Sequence, residues 1–303
     1  MSNILWSKVK FVRNLKGVKF EPNISELEQK EVSKLCLNTI NECGLKGGSL
    51  SEISDSVVNN LLANELIEQD FVTQYTNTAF ANDGNVTVQI NGKNHIEIIA
   101  KDRDIFSAYK QAKDLDKRLC NKLHFAYSDK YGFLGPDIKD VGSGLKIQVK
   151  AILPALVKIE AIKKLPKANE KLIFNIDCID HKSGLCVIST TTTLGYNEKQ
   201  ICELVYSYIN KIIKLEIDAS KSLAQDIDDV KDKCERAKAI LNNCIKTTID
   251  EVYMLLGNIL IAINSDVENE IKSEQINNII NCIKLNKNSK ILASEIQKIL
   301  KNN

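Results

Sequence analysis

The chain has 303 residues, 44% of them hydrophobic and 26% charged, with 41 Lys and Arg against 39 Asp and Glu for a net charge of +2. That apolar fraction, with only 13 Gly and 4 Pro, excludes a disordered or collagen-like chain. The near-zero net charge argues against a protein built mainly to grip nucleic acid, which needs a clustered basic surplus. The stretch 139–171 is locally basic, by five charges; a solvated face is the first reading and a polyanion or nucleotide contact the lesser one.

Nine cysteines, Cys36, Cys43, Cys120, Cys178, Cys186, Cys202, Cys234, Cys244 and Cys282, are scattered and never form a Cys-x-x-Cys pair. They suit neither a disulfide framework nor a zinc site, and read as buried thiols in a reducing compartment. The first residues lack the charged head and apolar run of a signal peptide. The longest apolar stretch, 252–263, is broken by Gly257 and Asn258 and is too short for the ~20 residues of a bilayer span. The expectations are a cytoplasmic location, no membrane contact and no metal.

In chain order, 4–12 alternates as a strand and 15–22 is a link punctuated by Gly and Pro. Ser25 and Glu28 make a capping box for a helix over 25–41, with Leu27, Val32, Leu35 and Ile40 as its apolar stripe. A loop over 44–51 and a helix over 54–69 follow. Between Val86 and Ala100 two alternating runs flank Asn91-Gly92, the dipeptide that best accepts positive φ at both centres of a type I′ turn, so a hairpin is expected. Asp104 caps a helix reaching Leu123. After a glycine-bearing loop over 132–144, the strand 145–153 sets Lys146, Gln148 and Lys150 on one face and Leu145, Ile147 and Val149 on the other. A short helix over 155–165, a strand pair over 172–178 and 185–192, and helical periodicity from 197 to 300 complete the chain. The fold class is α+β, with a sheet-and-helix domain over 1–225 and an all-helical domain over 226–303.

Several segments fall in the order and spacing of a known family: Ser7-Lys-Val-Lys-Phe-Val-Arg-Asn14, Ile90-Asn-Gly-Lys-Asn-His-Ile-Glu-Ile98, Tyr131-Gly-Phe-Leu134, Val141-Gly-Ser-Gly-Leu-Lys146, Leu153-Pro-Ala-Leu156 and Thr193-Leu-Gly195. They resemble the ATP:guanidino phosphotransferases, and within them the bacterial protein-arginine kinase branch. The helical tail resembles that branch's extra C-terminal domain. The resemblance implies a large antiparallel sheet flanked by helices, with ATP and a guanidinium meeting on its concave face.

Phosphoryl transfer to a guanidinium requires fixed cations around the polyphosphate and its Mg²⁺. It also requires a carboxylate to orient the acceptor and take a proton from a group of pKa above ~12. In the family that carboxylate comes from an Asn-Glu-Glu-Asp loop. Here the matching positions are Asn91, Gly92, Lys93 and Asn94, with an ammonium in place of the base, so no catalytic group is intact and a plain hairpin turn with an exposed Lys93 accounts for the segment. Family arginines are matched by Lys8, Lys10 and Lys146, which keep charge but lose the planar fork, as nucleotide-binding remnants. Another is reversed to Glu97, and the Arg-Gly-x-x-Gly-Glu loop is shortened within 175–184 to a stretch with no Arg and no Glu. Asp137 replaces a family cysteine. Five phosphate-binding arginines have become three Lys, one Glu and one absence.

His95, His124 and His181 are too few and scattered for a metal triad, and His95 reads as a hairpin or core histidine. Gly142-Ser-Gly144 reads as a loop passing close to the sheet rather than a phosphate cradle, Asp226, Asp228, Asp229 and Asp232 as a solvated helix face, and Arg13 as structural or functional alike. The resemblance with these replacements implies a catalytically defective member acting through protein contacts. Expected partners are an active kinase relative, an activator, a Clp-type chaperone or a repressor, and homo-oligomers are left open. The alternatives are an active ATP-dependent kinase rebuilt with lysines, or a sensor that binds Mg²⁺–ATP without turnover. The C-terminal segment 277–303 has no Arg, so the branch's phosphoarginine recognition is not carried over.

Overall fold

Alternation in the first strand assigns each side chain to one of two layers. In β1 (Ile4–Arg13), Val9, Phe11 and Arg13 point to a helical layer, while Lys8 and Lys10 point to the other face. A computed structural model describes residues 3–169, 172–267, 270–285 and 288–301.

After β1 come α1 (Glu26–Glu42), β2 (Lys46–Ser49), α2 (Asp55–Ala63), α3 (Gln69–Thr73), β3 (Ala79–Asn82), β4 (Val86–Ile90), β5 (Ile96–Asp102) and α4 (Ile105–Cys120). A small ribbon, β6 (Tyr127–Ser128) and β7 (Gly132–Phe133), precedes β8 (Leu145–Ile152), α5 (Pro154–Lys158), β9 (Ala168–Asn169), β10 (Leu172–Asp180) and β11 (Leu185–Thr190). The chain ends in α6 (Glu198–Leu223), α7 (Ile227–Asn243), α8 (Ile249–Asn264), α9 (Ser273–Leu285) and α10 (Ser289–Lys301). Among the described residues the main sheet has nine strands in the order β2-β3-β4-β5-β1-β8-β11-β10-β9, every neighbouring pair antiparallel. This is the large antiparallel sheet flanked by helices that the resemblance implies.

Because β1 is central, its register fixes the site. Lys10 lies opposite Ile99 and Lys146, and Lys8 opposite Lys101 and Gln148. The helical layer begins with α4, capped by Asp104, whose Ile105, Ala108, Ala112, Leu115 and Leu119 are buried at helical spacing. The capping box at Ser25 and Glu28 forms as expected. One continuous core runs from β1 to Ile296. Helix α8 meets the sheet domain at Gly257, where an added Cβ would stand 3.0 Å from Ser183 O and 3.4 Å from Pro154 Cβ.

Four expectations are corrected. The 44–51 loop contains the edge strand β2. The helix expected over 54–69 stops at Ala63, because Glu65 takes φ 54° and breaks the run, and the short α3 starts only at Gln69. The hairpin at Asn91-Gly92 closes through a five-residue loop, 91–95, in which only Asn91 has positive φ, so it is not a type I′ turn. The helix over 155–165 stops at Lys158, with Glu160 at φ 54° and a single 3₁₀ turn (Ile162–Lys164) after it. Among the described residues no helix is long and apolar enough to cross a membrane. Six of the nine free cysteines are buried; Cys178 and Cys244 are half-buried and Cys120 is exposed.

Candidate active site

A cleft of about 290 Å³ opens on the sheet face opposite α4. Lys8, Lys10 and Lys146, the three lysines singled out in sequence, line it, as does Lys93. The pleat brings Lys8, Lys10 and Lys146 together, since adjacent antiparallel strands place paired residues on one face. With them stand Glu68, Asp70, Glu97 and Asp140, so four ammonium groups face four carboxylates.

Lys8, Lys10 and Lys146 each contact a carboxylate, with Glu68 shared between Lys8 and Lys10. Lys10 Nζ lies 2.8 Å from Glu97 Oε2 and 3.2 Å from Glu68 Oε1, and Lys8 Nζ lies 3.7 Å from the same Glu68 oxygen. Lys146 contacts Asp140. Burial works against the charge on Lys10, but Glu97 and Glu68 outweigh it and hold its pKa above the ordinary value. Lys8 is lowered, mainly by burial, with Glu68 opposing. Glu68 is held below its usual range, first by Lys10.

A further carboxylate, Glu65, is not among the cleft's lining residues. Glu65 bridges Lys101 at 2.6 Å and Lys150 at 2.7 Å, and these lysines outweigh its burial to bring it down to about 2. Lys8, Lys101 and Lys150 all lie over the buried Trp6 ring, at 5.4, 4.6 and 5.8 Å. The basic stretch 139–171 is thus not one solvated face, because Lys146 and Lys150 are consumed in ion pairs on the sheet.

None of the base-loop positions presents a carboxylate. Asn91 is buried, its amide donating to Gln29 O at 2.7 Å, Asn77 O at 3.0 Å and Ser33 Oγ at 3.0 Å. Asn94 is also buried, donating to Glu97 Oε1 at 3.1 Å and accepting from Asn14 Nδ2 at 3.0 Å. Gly92 packs beside Phe71. Lys93, expected as a free turn residue, is paired with Asp137 at 2.6 Å. No residue of 175–184 lines the cleft. His95 accepts from Leu15 N–H at 3.0 Å through Nδ1 and is buried, as a core histidine is.

Arg13 serves the opposite face. Its guanidinium is fully buried and forks onto Asp116 at 2.8 and 3.0 Å, with Glu198 at 3.7 Å. Glu65, Glu68 and Asp140 were not singled out in sequence. The first two lay in a segment of helical pattern, and nothing in a Glu residue announces positive φ.

The family model for the ATP:guanido phosphotransferase C-terminal catalytic domain matches residues 26–219, roughly two-thirds of the chain. The chain belongs to the ATP:guanido phosphotransferase family. Within that family it falls in the bacterial protein-arginine kinase branch. It is 26% identical to a protein-arginine kinase of Halothermothrix orenii over 89% of this chain and 82% of that protein. It is 22% identical to one of Clostridium acetobutylicum over 91% and 86%. Among solved structures, a duplicated taurocyamine kinase from Schistosoma mansoni matches 71% of this chain and 33% of its own at TM-score 0.60 and 18% identity. A lombricine kinase matches 75% and 68% at TM-score 0.59 and 16% identity. These structures support the fold.

The reaction associated with this family by resemblance needs Mg²⁺ and a polyphosphate. The cleft does not fit them as it stands, because its lining carries no surplus positive charge and Glu68 and Glu97 hold Lys10 from both sides. Among the described residues no group of three or more His, Cys, Asp or Glu is placed to hold a metal ion.

Proposed function

We propose that this family member is defective in phosphoryl transfer and acts through protein contacts. The observation that carries the reading is that Lys8, Lys10 and Lys146 each contact a carboxylate of the same chain in the sheet-face cleft, whose four lysines face four carboxylates. A phosphate clamp works by excess positive charge fixed before the anion arrives, and here carboxylates of the same chain take that role. The absence of an acid at 91–94 supports the same conclusion, since nothing there can take the guanidinium proton.

The test is calorimetric titration of the full chain with Mg²⁺–ATP, followed by a phosphoarginine assay on the same sample with an arginine-bearing protein as acceptor. No product above a no-enzyme control is expected. Product formation lost in Lys10→Ala would overturn the reading. It would favour the second one, an active kinase with a lysine-rebuilt phosphate site, which rests on Lys8, Lys10 and Lys146 still lining an open cleft. That alternative requires Glu68 to withdraw from Lys8 and Lys10. Heat without product would favour a nucleotide sensor.

We also read the domain division at 225/226, supported by the end of the family match at residue 219. Partners of the kinds expected from sequence, and a cytoplasmic setting, belong to the same proposal.

A further inference from the structure

A second cleft, of about 660 Å³, lies where the β6–β7 ribbon, the 142–143 turn and the start of α6 meet. Five of its fourteen lining residues, Tyr109, Tyr127, Tyr131, Phe133 and Tyr196, are aromatic in a chain that is 6% aromatic. Tyr127 and Tyr131 are 58% and 48% exposed, so burial in the core does not explain their rings.

The walls are rigid. Phe133 N–H donates to Gly142 O at 2.8 Å, Gly142 N–H returns to Phe133 O at 3.1 Å, and Thr193 Oγ1 donates to Val141 O at 2.8 Å. Gly142 has φ 120°, and a Cβ there would stand 2.7 Å from Thr193 O, so only glycine lets these segments close. Underneath, the Arg13 guanidinium lies 3.6 Å from the Phe133 ring centre, and Tyr127 meets Phe133 edge-on at 5.3 Å.

The charges are arranged differently from those of the sheet-face cleft. The one carboxylate in the lining, Glu198, is consumed by Lys113 at 2.8 Å and the Tyr109 hydroxyl at 3.0 Å. At the rim, Lys130 and Lys199 are exposed and make no ion pair among the described residues. Lys130 lies 5.1 Å over the Tyr131 ring. Asp129, its neighbour in sequence, is not among the lining residues. A preformed aromatic floor with a cationic rim complements an apolar side chain flanked by carboxylates, and it repels a basic peptide.

We propose that this cleft docks an acidic segment of a partner protein, with one aromatic or large aliphatic side chain against Tyr127, Tyr131 and Phe133 and its carboxylates near Lys130 and Lys199. The inference is independent of whether the sheet-face cleft turns over.

The test uses the full chain and fluorescence polarisation with two sets of labelled hexapeptides, each carrying Phe, Tyr, Trp or Leu at the centre. One set is flanked by Asp and Glu, the other by Lys. Saturable binding of at least one acidic peptide is expected, weakened about tenfold by Tyr131→Ala, and reversed in charge preference by the double variant Lys130→Glu with Lys199→Glu. All three are surface positions, and unchanged circular dichroism confirms folding. No saturable binding of the acidic set, or binding indifferent to these substitutions, overturns the proposal. So does tighter binding of oligouridine that Tyr131→Ala abolishes, which would give the cleft to single-stranded nucleic acid. Dimerisation lost in Tyr131→Ala would give it to a second copy.

Discussion

The two clefts lie on opposite faces of one central strand and use their lysines in opposite ways. On the sheet face Lys8, Lys10 and Lys146 each meet a carboxylate, so these cations are spent internally. On the aromatic side the buried charges are paired below the floor and the rim lysines have no acidic partner among the described residues. The capacity of a surface to hold an anion follows the uncompensated charge rather than the number of cations. By that measure the cleft proposed here as a docking site is the one that the family resemblance does not point to.

The strongest way to break the comparison is to remove the buried pair beneath the aromatic floor. Asp116→Ala leaves Arg13 fully buried without its bidentate acceptor, and a loss of about 3–5 kcal/mol in denaturant unfolding is expected. Replacing both residues by Leu is expected to recover much of that loss, because the cost comes from the uncompensated charge. A small effect of Asp116→Ala would show that the floor is not anchored as described.

Next in size is a pH effect at the far end of α6. The Glu216 carboxylate is buried and accepts from Ala155 and Leu156 N–H, both at 2.9 Å, at the start of the helix that follows β8. Burial outweighs those bonds and raises its pKa from 4.5 to about 7. A folded-state pKa above the unfolded value means that the folded protein binds the proton more tightly. Its contribution is therefore fully present below about pH 4.5 and lost as pH rises through about 7, on the order of 3 kcal/mol. Glu216→Gln is expected to flatten the stability profile between these limits, and an unchanged slope would refute the assignment.

The sheet-face half of the comparison is sharpened by Glu68→Gln. This carboxylate is 44% exposed, so its loss is tolerable to the fold, and it frees both Lys8 and Lys10 from one partner. Inorganic tripolyphosphate is expected to bind about tenfold more tightly than to the unaltered chain at low ionic strength, with the gain shrinking as salt is added. No gain would show that paired charge is not what closes the cleft.

Much of the scaffold was legible because it rests on local chemistry: the capping box at Ser25, the cap at Asp104, and the alternation of Lys146, Gln148 and Lys150 along β8. That 91–94 carries no carboxylate is read directly from the sequence. The partners of the lysines are not. Glu68 reaches Lys10 across 58 residues, and it can do so because the predicted helix stops at Ala63 and turns at Glu65 against its own φ preference. The aromatic cleft was hidden for a similar reason. Its rings come from segments 109, 127–133 and 196, and only the bridges through Gly142 gather them.

The smallest expected effect concerns Lys93, the position to which the sequence resemblance assigns the base. Its pair with Asp137 is short but lies in water, with side chains 45% and 27% exposed, so Lys93→Ala should change stability by less than about 1 kcal/mol. The hydrogen bond raises the pKa of Lys93 and lowers that of Asp137, which shows the contact without making it structural. Lys93→Glu puts a carboxylate into the loop, beside Asp137. No phosphoarginine is expected even so, because Lys8, Lys10 and Lys146 remain matched by Glu68, Glu97 and Asp140. If Lys93→Glu alone produces phosphoarginine in the acceptor assay, the missing base was the whole defect and the paired lysines were never an obstacle.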